Sequence, residues 1–172
     1  VIAAAYIGVI AVSAQEKDQA VKELEFCGPA GESHKVIKQK DHPTPQPQSG
    51  KAIVYVVWRE SAAAMMFGPG RNPTFTQLKL ACDGKYVAVL NRNTYSYFEA
   101  DPGTLRLCLS LSLRPGQSGG QGLLFLTTEA DHTYYLNASP RGRLEELTPE
   151  VGTPRIKQSR YATFEIKQRG TK

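Results

Sequence analysis

The chain has 172 residues, 41% of them apolar, and a formal net charge of +5. That length suits one domain with an export segment, and the apolar share supports a real core. The charge favours solubility and weak attraction to anionic surfaces, but does not specify a nucleic acid.

Residues 1–14 carry no charge and are mostly Ala, Val and Ile. Val12-Ser13-Ala14 then offers small residues at a signal-peptidase site, followed by polar Gln15-Glu16-Lys17-Asp18. Spanning a bilayer takes roughly 20 apolar residues, so the run is expected to be a signal peptide and not a membrane anchor. Without an initiator Met or a basic leader, the start is expected to be truncated. Cys27 lies well past the apolar run, which speaks against a lipoprotein. No other segment reads as membrane-crossing.

Residues 15–50 are polar and irregular and end in Pro43, Pro45 and Pro47. Proline fixes φ and removes a donor, so an extended arm is expected. From Lys51 the pattern changes. AIVYVVW is β-branched and aromatic and reads as a buried strand. Residues 61–73 form a loop in which Met65, Met66 and Phe67 are apolar; they are either a docking patch or fold back on the core. Residues 74–82 put Leu78, Leu80 and Cys82 on one face. Asp83-Gly84 is a hairpin signal, and residues 85–90 return. Asn91-Arg92-Asn93 turns the chain into a strand at 94–100, and Asp101-Pro102-Gly103 turns it again.

Residues 104–113 have the clearest period. Leu105, Leu107, Leu109, Leu111 and Leu113 alternate with Arg106, Cys108, Ser110 and Ser112, which predicts a strand with one buried face. A long turn at 114–121 leads to strands at 122–130, 133–139 and 143–147, with a terminal strand over 161–167. Positions 141–172 hold eight basic and four acidic side chains. Seven or eight strands with turns at short intervals predict an all-β fold, an antiparallel β-sandwich over residues 51–172, with a small barrel as the alternative.

Asp41 to Cys108 also carries a family likeness. His42-Pro43, Pro45 and Pro47 lead into Gly50-Lys51-Ala52-Ile53-Val54-Tyr55-Val56. Asp83-Gly84-Lys85, Asn93-Thr94-Tyr95, Asp101-Pro102-Gly103 and Leu107-Cys108 follow, then Thr133-Tyr134-Tyr135. This order resembles the bacterial family labelled domain of unknown function 2846, in the form found in exported acidobacterial proteins. The likeness covers roughly residues 27 to 150. It implies an exported or envelope-located sandwich in the style of transthyretin-like and PEGA-type modules, with no assigned activity and no catalytic residues to carry over. Cys82 stands where the family commonly has an aliphatic residue, and the tail after Val151 fits poorly.

The three cysteines, Cys27, Cys82 and Cys108, are an odd count for an oxidising compartment and suggest one bridge and one leftover thiol. Cys82 shares a face with leucines and reads as a core filler. Cys108 lies off the leucine face, where the arm could cover it. The favoured pairing is Cys27–Cys108, worth on the order of 4 kcal/mol in the chain-entropy picture, and Cys82–Cys108 is the alternative. A nucleophilic Cys82 would need a neighbouring base. Asp83 points to the opposite strand face, while His34 and His42 belong to the solvated arm and His132 to a turn. No common zinc spacing, P-loop or HExxH motif is present, so no metal or cofactor is expected.

The function expected is an exported, non-catalytic module, periplasmic or secreted, that binds an envelope protein or an anionic polymer and not nucleic acid. Candidate contacts are Met65, Met66 and Phe67, and the basic residues Arg141 and Arg143. A hydrolase or enzyme-accessory domain, or a small-ligand carrier with a cavity between the sheets, is the alternative.

Overall fold

A computed structural model describes residues 27–29, 32–60, 75–113 and 121–167. The expected signal peptide (1–14), Met65, Met66 and Phe67 lie outside these residues.

The described residues form ten strands and one short helix: β1 (His34–Lys38), β2 (Ala52–Trp58), β3 (Phe75–Cys82), β4 (Lys85–Leu90), β5 (Thr94–Ala100), β6 (Gly103–Leu113), β7 (Gln121–Thr128), β8 (Thr133–Ala138), β9 (Leu144–Leu147), α1 (Pro149–Lys157) and β10 (Arg160–Ile166). They form a sandwich of a six-stranded sheet, ordered β1-β10-β5-β2-β8-β9, and a four-stranded sheet, ordered β4-β3-β6-β7.

The hairpin at Asp83-Gly84 forms as its sequence dictates. Both residues take positive φ, 46° and 83°, the pairing that a two-residue turn needs to follow the strand twist. The leucine period of β6 also holds. Leu107 and Leu109 are fully buried between the sheets with Val54, Val56, Trp58, Leu78, Leu80 and Leu136, and Leu105 and Leu111 pack against that core.

β2 shows no alternation because both its faces are covered. Val54, Val56 and Trp58 enter the inter-sheet core. Ile53, Tyr55 and Val57 point the other way, into a second core with Tyr95 and Ile156 of α1.

Three features depart from the sequence reading. His34–Lys38, placed in the irregular arm, is a strand paired antiparallel with β10. The sheet is not purely antiparallel: β2 pairs with β8, and β10 with β5, in parallel. Residues 149–157 form a helix despite Gly152, Thr153 and Pro154. Pro149 suits its first turn, and Glu150 near the start with Arg155 and Lys157 near the end match the helix dipole. Its hold on the sheet is tertiary. Gly152 lies so close to the Tyr135 ring that a Cβ there would collide with it.

Candidate functional site

The arm is pinned where the period of β6 points away from the core. Cys27 and Cys108 form a disulfide with Cα atoms 4.9 Å apart, closing a separation of 81 residues. Both cysteines are buried. The alternative Cys82–Cys108 pairing is therefore wrong. Cys82 is free, half-buried, and packed against the inter-sheet core, because it points to the opposite side of its sheet from Cys108. Burial, and then the Asp83 carboxylate that its thiol faces at 3.8 Å, push the Cys82 pKa up to about 11. That is the reverse of what a nucleophilic thiol requires. Asp83 in turn accepts from Arg106 Nε at 2.9 Å.

Past the disulfide, the arm lies on the outer face of the four-stranded sheet. Gly28 takes φ +84°, and a Cβ there would sit 2.7 Å from Cζ of Tyr86. Only glycine combines that backbone conformation with so close an approach. The Tyr86 hydroxyl donates to the Pro29 carbonyl at 3.2 Å. Lys79 Nζ donates to the Glu32 carbonyl and stands 5.5 Å from the centre of the Tyr86 ring.

His34 departs furthest from expectation. It is 3% exposed, not solvated. Its ring meets Tyr86 of β4 edge-on at 4.8 Å and Phe164 of β10 at 5.6 Å, so it bridges the two sheets. Nε2 approaches Glu32 Oε2 to 3.4 Å, and among the described residues neither ring nitrogen nor that buried carboxylate oxygen has an aligned hydrogen bond. Burial, and then the Lys79 charge, lower its pKa against the opposing pull of Glu32. The other histidines lie elsewhere: His42 Nδ1 is 3.2 Å from the Tyr95 hydroxyl, and His132 Nδ1 is 2.8 Å from the Ala130 carbonyl.

The outer face of the six-stranded sheet carries tyrosines that the sequence reading passed over. Tyr97, Tyr55 and Tyr135 form one row across β5, β2 and β8. Tyr95 and Tyr161 face each other in the next row. Tyr55 and Tyr135 stack at 5.4 Å, and Tyr97 and Tyr161 at 5.5 Å. Burial raises the Tyr95 pKa and pushes that of Tyr161 up to about 12. The spacing of Tyr95 and Tyr97 by two was the available signal. With α1 packed on it, through Ile156 and a hydrogen bond of 3.3 Å from Thr153 to the Tyr135 hydroxyl, this face is a second core.

Among the described residues, the exposed large apolar side chains are Leu123 and Phe125, which share one face of β7, Val151 of α1 and Ile166 of β10. Leu123 is 51% exposed and Phe125 66% exposed. β7 ends the four-stranded sheet, so among the described residues one of its edges has no strand partner. The β8–β9 turn closes against it: Gly122 touches the Gly142 carbonyl so tightly that no Cβ fits. Arg141 and Arg143, the candidate basic contacts, flank Gly142 and are exposed. The turn meets β7 at Gly122 from the core side of the sheet, the side of Leu109 and Leu124, whereas Leu123 and Phe125 project from the outer face.

Among the described residues, no group of three or more His, Cys, Asp or Glu side chains could hold a metal ion, and no helix is long and apolar enough to cross a membrane. Comparison with known proteins finds no family model, no curated protein and no solved structure that matches the chain.

Proposed function

We propose that the chain is an exported, non-catalytic binding module of the bacterial envelope, similar to the domain of unknown function 2846 family. It engages an extended segment of an envelope protein along β7. The observation that carries this reading is the exposure of Leu123 and Phe125 on the outer face of an edge strand, with Arg141 and Arg143 exposed in the turn that meets the same strand at Gly122. Exposed apolar side chains on an unpaired strand edge favour strand addition, and arginines in the adjoining turn favour a partner segment that carries acidic side chains. The buried Cys27–Cys108 bridge supports an oxidising, exported setting.

The test is capture from a bacterial envelope fraction on immobilised protein, comparing the wild type with a Leu123→Ser/Phe125→Ser variant. The expected result is one partner retained by the wild type, lost by the variant, and weakened by Arg141→Ala/Arg143→Ala. Equal retention by all three overturns the reading. Retention of an anionic polysaccharide that depends on the arginines alone replaces it with a polymer-binding one.

A further inference from the structure

His34 occupies a position that the binding surface on β7 does not use. A neutral imidazole in this buried slot already leaves an N–H donor without an aligned acceptor, and a protonated one would bury two donors and a charge whose counter-charge, the Glu32 carboxylate, is near but misaligned. The groups facing it come from every neighbouring element. Glu32 precedes β1, Lys79 extends from β3, Tyr86 from β4, and the uncharged Phe164 from β10. Lys79 opposes a positive charge on the ring, and Glu32 offers only a misaligned contact at 3.4 Å. The slot is thus built for the neutral form.

What the ring holds together is specific. Among the described residues, β1 is an edge strand of the six-stranded sheet and pairs only with β10. Against the four-stranded sheet, the residues around it are held by Gln77 Nε2, which donates to the His34 carbonyl at 3.3 Å, by Lys79, and by the His34 ring itself. Edge strands with few partners open at lower free energy than core strands.

We infer that His34 is an acid-sensitive latch: in its neutral form it closes β1 and the arm onto both sheets, and protonation releases them while the Cys27–Cys108 bridge keeps the arm tethered. The direction follows from linkage. The folded state holds the imidazole below its ordinary value of 6.5, so the unfolded or released state binds the proton more readily. Stability from this group is whole above pH 6.5 and is lost as the pH falls below it, toward the folded value. Each unit of that depression corresponds to about a tenfold shift in the closed-to-open ratio.

Amide hydrogen exchange, corrected for intrinsic rates, reads the latch directly. Between about pH 7.5 and pH 5, protection across residues 35–38 is expected to be lost progressively as the pH falls, while β2 stays protected. His34→Phe is expected to abolish that pH dependence and keep β1 protected throughout. An NMR titration of the wild-type His34 ring decides the matter should His34→Phe fail to fold. Flat β1 protection, the same loss in His34→Phe, or a ring titrating at or above its ordinary value would each overturn the proposal.

Discussion

Cys108 stands opposite Leu123 across the β6–β7 ladder, so the disulfide that pins the arm and the exposed apolar strip share one row of the same sheet face. One end of that row is sealed: Cys108 is 0% exposed, against 51% for Leu123. The clamp and the binding strip are therefore neighbours, and changes at one can be read at the other.

Removing the clamp should destabilise the whole domain. The bridge closes a separation of 81 residues, for which loop-closure entropy gives about 4 kcal/mol. Cys27→Ser is expected to shift the urea midpoint accordingly, with the greatest loss of exchange protection in residues 32–38. A midpoint unchanged from wild type would show that the arm is held without the bridge.

Alanine usually stabilises a helix relative to glycine, by about 1 kcal/mol. At Gly152 the opposite sign is expected, because the new Cβ meets the Tyr135 ring. Overpacking of this kind costs about 1–3 kcal/mol. Thermal melting of Gly152→Ala should show a net loss of stability. A gain would mean that α1 is not seated on Tyr135 as described.

Cys82 should be a poor nucleophile. With its thiol pushed up to about 11, the thiolate at pH 8 is only about one part in a thousand. Iodoacetamide labelling of the folded protein at pH 8 should run roughly a hundredfold slower than that of a free thiol and accelerate steeply toward pH 11. Fast labelling at neutral pH would contradict the packing assigned to this side chain.

The strip on β7 should be neutral for stability. Leu123→Ser and Phe125→Ser remove exposed side chains, for which changes within about 0.5 kcal/mol are usual. Denaturant unfolding of the two variants checks this, and a loss of several kcal/mol would make the strip part of the fold instead of a surface kept for a partner.

How much of this could be read from the chain varies with the physics behind each element. The period-two leucines of β6 and the Asp83-Gly84 turn are local signals, and both hold. The off-face position of Cys108 follows from the same alternation, which is why its bridge to Cys27 is legible in the sequence. β1 was not visible, because HKVIK is short and lies in a polar context; its strand character comes from β10, more than a hundred residues away. The helix was hidden by Gly152 and Pro154 in its interior; its seating on Tyr135 beneath Gly152 is a tertiary contact that the local sequence does not show. The parallel pairing of β2 with β8 leaves no mark in either strand. His34 looked solvated because its burial is supplied by Tyr86 and Phe164, from two different sheets. The contact between Gly122 and Gly142, where the turn that carries Arg141 and Arg143 meets β7, is likewise tertiary.

The most direct test of the central claim is site-specific photocrosslinking in the bacterial envelope from a photoreactive residue at Phe125, compared with one at Glu99. Glu99 is exposed but belongs to β5, in the other sheet. The account predicts one discrete crosslinked protein from position 125 and none from position 99. Identical patterns from the two positions, or no adduct from position 125, would contradict it.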